Sequence, residues 1–271
     1  MAVAIMIPDL DEEYAHGEPG LVPEDFLKAL WAERRRLLHE GQIQHPHPFR
    51  VALGQGKVPI EGVRGYLKNR HYFLANINRK DAQIIANCPY AEARRMLMSK
   101  YIDEEGNDLA GGSQGPHFDM WVKLANALGV STEKMNSFVD VLPAFRYAVD
   151  ALFDFTKTHS WLEGLAATYA GEGAGWKRYD PPGEKHRETG YLPEGQAFEK
   201  FYGVPDEALE FYHVHEDANT GHDEITETIL KKYCTTRALQ RKAISAARFR
   251  WEVQEARSDI VYYHYVLGHS R

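Results

Sequence analysis

The sequence predicts an all-α fold, and three observations carry that expectation. Apolar residues recur at helical spacing along most of the chain, as Phe26, Leu27, Leu30, Leu37 and Leu38 do. Alternating runs and Asn-Gly turns, the marks of strands and hairpins, are almost absent. The breaks between periodic stretches fall at Gly and Pro. With 271 residues, 44% of them hydrophobic and 12% aromatic, the chain can fill a sizeable core. One domain over 23–271 is expected, behind an acidic, loosely held lead-in at 1–22.

The elements follow in order. A helix starts at Pro23 and runs to Gly41. His45-Pro46-His47-Pro48-Phe49 reads as a stiff turn, since each residue before a proline is pushed out of the α region. Pro59 opens a helical stretch through Val63, Tyr66, Leu67, Arg70, Tyr72 and Phe73. A further helix, carrying Lys80, Asp81, Ile84 and Ile85, stops at Cys88-Pro89. Residues 91–105 are helical, and the glycine-rich 106–116 is a loop. His117 and Trp121 begin a helix that closes at Gly129, and Ser131 can cap the next one. Helices over 144–159 and 160–172 come next, then an irregular 173–196. Helices over 206–233 and 236–267 complete the chain, roughly eight to ten in all.

A net charge of −7 argues against a nucleic-acid-binding surface, which needs a basic stripe. No apolar run approaches the ~18 residues of a membrane span. The opening residues lack the positive start of a signal peptide. A soluble, cytoplasmic protein acting on a small molecule is expected. Only two cysteines, Cys88 and Cys234, exclude a disulfide scaffold and a Cys-rich zinc site; both read as packing residues.

Chemistry concentrates in 211–230. On a helix, His215, Asn219 and His222 share one face with Ile225 and Ile229, so that face looks inward. Buried polar groups without partners cost roughly 1–3 kcal/mol each, so either a metal or internal hydrogen bonding must satisfy them. Four other places carry candidates. Glu104 sits in the acidic run 103–105 at a helix end, where Glu105 is an alternative; His117 follows the glycine-rich loop. Glu172 ends a run of small residues that lets helices approach closely and draws it inward, whereas Glu163 reads as a surface residue. Arg70 and Lys80 can hold an anionic group or pair with carboxylates. Two carboxylates and three imidazoles together suit iron or manganese better than zinc or calcium. Helical bundles build such sites from several helices.

Two resemblances sharpen this. His47-Pro48-Phe49, 65–72, Lys80-Asp81-Ala82, Ala86-Asn87-Cys88-Pro89, Val141-Leu142-Pro143 and 145–150 resemble the pyrroloquinoline-quinone synthases over about residues 40–165. That implies a heme-oxygenase-like (TenA/PQQ-synthase-like) helical bundle and a homodimer. The quinone synthases use no metal, and this chain departs from them where they act. Gln44 and Glu104 stand where that family has histidines, and His117, His215 and Asn219 where it has Gly, Gln and Asp; the histidine at His222 is kept.

Residues 165–172, Tyr202-Gly203-Val204 and Phe211-x3-His215-x3-Asn219-x2-His222 resemble instead the heme-oxygenase-like diiron oxidases and oxygenases. Carried over, that family's ligands become Glu104, His117, Glu172, His215, Asn219 and His222, holding two iron ions with O2 as co-substrate. Asn219 replaces the usual Asp, and a neutral amide weakens one metal position. In this reading Glu172 and His215 are catalytic, and Arg70 and Lys80 orient a small amino-acid-like or carboxylate substrate. Tyr72, Tyr101 and Tyr169 are candidate redox or hydrogen-bonding neighbours. Two rival readings are a cofactorless oxidase like the quinone synthase and a non-catalytic binding protein. Thiaminase chemistry ranks last, because it needs a cysteine nucleophile.

Overall fold

A computed structural model describes residues 17–106, 115–172, 178–179 and 192–269, without the side chains of 215–223. Eleven α-helices lie among the described residues: α1 (Pro23–His39), α2 (Pro48–Gly54), α3 (Ile60–Asn87), α4 (Ala91–Glu105), α5 (His117–Ala127), α6 (Thr132–Ser137), α7 (Pro143–Thr158), α8 (Trp161–Glu172), α9 (Glu194–Tyr202), α10 (Glu210–Tyr233) and α11 (Arg237–Tyr265). No strand occurs among them; Pro19 and Thr236 form an isolated bridge. No helix among the described residues is long and apolar enough to cross a membrane. The all-α expectation holds.

Local signals explain most boundaries. Pro23, Pro48 and Pro143 each open a helix, where the missing N–H is no loss. His47 Nδ1 accepts the Phe49 N–H at 3.0 Å, so the expected stiff turn is the cap of a short helix. Ser131 caps α6 through the Lys134 N–H, as its position suggests. Gly203 ends α9 with φ of 68°, a conformation that suits a residue without Cβ.

Three expectations change. The stretches on either side of Phe73 join into one 28-residue helix, α3, because no breaker separates them. Helix α9 begins at Glu194, inside the stretch read as irregular. Glu163 is buried rather than on the surface: it accepts the Ser160 N–H at 3.1 Å while Ser160 Oγ accepts the Glu163 N–H at 3.2 Å. That reciprocal pair is a capping box at the start of α8. The end of the lead-in is also tied down, for the Leu21 N–H donates to Gln240 at 2.8 Å and the Gly20 N–H to Thr235 at 2.9 Å. Residues 1–16, the rest of the lead-in, lie outside the described residues.

Helix α11 packs along α8 and α7 and also touches α1, α2 and α3. Its apolar stripe carries Ala243, Ala246, Ala247, Val253 and Val261. One core cluster gathers Trp31, Trp161, Tyr169 and Trp251; a second gathers Phe49, Leu67, Trp121 and Phe198. Both cysteines are buried, consistent with packing roles. Polar residues line the space between α3, α4, α8 and α11, and they define the site.

Candidate active site

Helices α3, α4, α8, α10 and α11 enclose a cavity of about 390 Å³. Lys80, Lys100, Glu104, Glu172 and Arg250 line it, with Phe73, Leu74, Ile77 and Phe211 as apolar wall. A second space of about 170 Å³ shares Arg50, Arg70, Phe73, Gly171 and Arg250 with the first and adds Arg257. A third, of about 360 Å³, shares Arg50, Gly171, Glu172 and Glu194 and adds Gln44 and His47.

Four of the expected residues, Glu104, Glu172, Arg70 and Lys80, therefore line one cavity. Glu104 Oε2, at the end of α4, lies 2.9 Å from Nδ1 of His117, the first residue of α5, and His117 is buried. Glu105 instead accepts the Tyr101 hydroxyl at 3.3 Å, so geometry favours Glu104 over its neighbour. Glu172 pairs through Oε1 with Lys100, while its buried Oε2 has no hydrogen-bond partner among the described residues. The side chains of His215, Asn219 and His222 lie outside the described residues, although α10 carries them on a helix as expected.

These donors suit a hard or borderline transition metal. The 2.9 Å contact of Glu104 with His117 is a hydrogen bond, and it is also about the spacing of two ligand atoms bound at a right angle to one ion with bonds of roughly 2.1 Å. Among the described residues the Glu172 Oε2 has no donor, and a buried carboxylate oxygen of this kind can accept a donor or bind a cation. Glu104, His117 and Glu172 do not converge as a trio, however. Among the described residues the trio of donors within 4.8 Å of one another is His47, Glu255 and Asp259. That trio is poor as a metal site: His47 Nδ1 already accepts the Phe49 N–H, so the neutral ring carries its proton on Nε2, 3.1 Å from Asp259.

The cations divide into two kinds. The Lys80 ammonium lies 2.5 Å from both Asp81 and Thr168 Oγ1, and burial pushes its pKa down against the pull of Asp81. Arg70 donates to the Tyr66 hydroxyl at 2.8 Å and lies 3.6 Å from Glu194, which also pairs with Arg50. Its Nε is buried and unpartnered, and Trp121 covers it at 4.8 Å. Both expected anion holders are thus partly occupied by internal partners.

Arg250 and Arg257 differ, and sequence reasoning missed both. They are 4% and 8% exposed, and among the described residues neither has a carboxylate partner. Arg250 donates to Gln254 at 3.1 Å; Arg257 lies 3.8 Å over the Phe73 ring, with its Nε buried and unpartnered. Burial pushes the Arg250 pKa down to about 10, and burial with the nearby Arg250 and Arg70 charges drives that of Arg257 well below the usual range. A guanidinium stays protonated in proteins, so both side chains carry their charge in surroundings that disfavour it. The signal was present: both arginines fall on the alanine-rich buried stripe of α11.

The tyrosines face elsewhere. Tyr72 donates to Asp150 at 2.7 Å, and the buried Tyr169 donates to Glu227 at 2.7 Å while accepting from Trp31. Neither lines the main cavity.

Comparison with known proteins fits this arrangement. The TENA/THI-4/PQQC family model matches residues 33–177, a little over half of the chain. The chain is 36% identical over 149 residues to a pyrroloquinoline-quinone synthase from Cronobacter sakazakii, covering 55% of each. It is 38% identical over 135 residues to that of Pseudomonas aeruginosa, covering 49% of this chain and 52% of the relative. The matches thus span about half the length of these curated relatives. A domain from Shewanella denitrificans with a heme oxygenase-like fold superposes with a TM-score of 0.66 at 16% identity, covering 91% of this chain and 93% of that one. The matched stretch includes α3, α4 and α8, which bear Arg70, Lys80, Glu104 and Glu172, and the fold extends that likeness across the rest. The chain belongs to the TENA/THI-4/PQQC family.

Proposed function

We propose that this protein is an O2-dependent oxidase or oxygenase of a small anionic metabolite. In this reading two iron ions are held by Glu104, His117, Glu172, His215, Asn219 and His222. One observation carries it: Glu104 and Glu172 line the same cavity as Arg70 and Lys80, with His117 beside Glu104 and a buried oxygen of Glu172 without a donor among the described residues. Iron, when bound, would supply the electrons and open coordination positions that O2 chemistry needs. The protein's own groups do the rest. Arg70 holds an acidic group of the substrate, and Phe73, Leu74, Ile77 and Phe211 exclude water from the reacting end. Lys80, fixed by Asp81 and Thr168, presents a polar group of the wall in one position. A cytoplasmic homodimer completes the reading.

A second reading has specific support. The identity to the quinone synthases, and the Lys100–Glu172 pair that already neutralises one carboxylate, favour a cofactorless oxidase. Metal analysis and O2 uptake on protein from iron-supplemented expression separate the two. About two irons per chain, with O2 uptake lost on chelation, supports the dimetal reading. No bound iron, with O2 uptake retained, replaces it with the cofactorless one.

A further inference from the structure

The arginines of α11 carry an inference about the substrate. We propose that Arg250 and Arg257 form a subsite for a compact dianion, and that the metabolite this cavity takes carries two negative charges at one end. The proposal rests on reading the cavity as a substrate site and is independent of any metal.

Three observations support it. Arg250 and Arg257 are both more than nine-tenths buried, line one space with Arg50 and Arg70, and have no carboxylate partner among the described residues. Of the four, Arg50 and Arg70 already share Glu194. Glu194 supplies one negative charge against those two cations, and Arg250 and Arg257 add two buried charges with no acid of their own among the described residues, so a single carboxylate would leave at least one uncompensated, which is costly in a low-dielectric site. Geometry concentrates the demand, for Phe73 covers Arg257 and leaves its buried Nε without an acceptor. Gly171 then sets the place. A Cβ there would lie 2.6 Å from the Arg250 Nε, so the guanidinium rests against α8 where residue 171 has no side chain, and a side chain there would make it shift. The subsite consequently sits beside Glu172, within a small molecule's length of the expected chemistry. Two carboxylates on a short chain, or a phosphate ester, have the required charge and match guanidinium donors.

Metal-free protein is titrated with malonate, inorganic phosphate and acetate, with calorimetry and thermal unfolding as readouts. Malonate or phosphate is expected to bind and raise Tm, with acetate at least about 10-fold weaker; which of the two binds tighter tells a dicarboxylate from a phosphate ester. Arg257→Met should weaken the dianion by about 10- to 100-fold, the loss of a charged hydrogen bond. It should also raise the Tm of anion-free protein by about 2 °C or more, because it removes an uncompensated charge. Gly171→Ala should weaken the dianion as well, by displacing Arg250 without altering any charge. Equal response to acetate and malonate, no response to any anion, or an Arg257→Met protein that binds as the wild type does, overturns the proposal. None of these results bears on iron content, so a failure here leaves the dimetal reading standing, and a metal-free oxidase leaves the subsite standing.

Discussion

The two ends of the central cavity handle charge differently. At the α3–α4 end each cation is matched by an acid of the chain: Lys80 by Asp81, Lys100 by Glu172. At the α11 end Arg250 and Arg257 face the cavity with no carboxylate among the described residues. Buried ion pairs roughly break even, because the desolvation cost offsets their attraction; a buried charge without a counter-ion is a net cost. A ligand entering the first end must displace an internal partner, whereas one entering the second supplies what is missing. In the proposed function, the chemistry belongs where carboxylates and imidazole gather and recognition where guanidinium charge is left over.

The largest expected effect breaks the first end. Glu172→Ala or His117→Ala should reduce O2 uptake by about 100-fold or more, as removing a group that acts on the reacting centre does, and should lower the iron bound per chain. An alanine variant that keeps both wild-type iron and wild-type rate removes that residue from the ligand set.

Stability sharpens the contrast next, through opposite signs. Lys80→Met should destabilise by about 2 kcal/mol, because Asp81 and Thr168 lose a buried charged donor. Arg257→Met should instead stabilise by about 1 kcal/mol in anion-free buffer. Denaturant unfolding of the two variants measures both, and a shared sign would mean that the two ends are not different in kind.

A control lies outside the cavity. Tyr169→Phe removes the hydrogen bonds to Glu227 and from Trp31 and should cost about 1–2 kcal/mol, while leaving dianion affinity and iron content unchanged. A change in either would bring this tyrosine into the site after all.

The smallest effect concerns pH. Burial raises the Glu255 pKa, with Asp259 adding to it and Gln44 and His47 opposing. A carboxyl whose folded pKa lies above its unfolded one costs stability when ionised. That cost is full above the folded value and vanishes as pH falls through it toward the usual carboxylate range. Glu255→Gln should therefore stabilise by up to about 1 kcal/mol at neutral pH, with no gain in acid. A gain that persists below the carboxylate range would point to packing instead.

How much was legible depends on the range of the interaction. The helix start at Pro23, the cap at Ser131 and the closure at Gly129 are local chemistry, so sequence reading placed them well, and the helix expected over 144–159 begins one residue earlier, at Pro143. The continuity of α3 was missed because no residue between Phe73 and Lys80 says where to stop, and a cautious reading inserted a break. Helix α9 hid behind the glycines and prolines that precede it. Glu163 is buried where a surface position was expected, and the local signal for it is the capping-box pattern Ser160-x-x-Glu163. In the site, Glu104 and His117 were both nominated, but their contact spans 13 residues and two helices, which helical periodicity does not encode. Arg250 and Arg257 were legible in principle, as cations on an alanine stripe. No motif of either resembled family falls on them, and periodicity alone does not tell a buried arginine from one at the edge of the stripe.

The most direct test of the metal assignment is an iron-edge anomalous difference map from crystals of protein loaded with ferrous iron. The account predicts two peaks in the α3–α4–α8–α10 cavity, within bonding distance of Glu104, His117 and Glu172. No peak there, or a peak only at His47, Glu255 and Asp259, would contradict it.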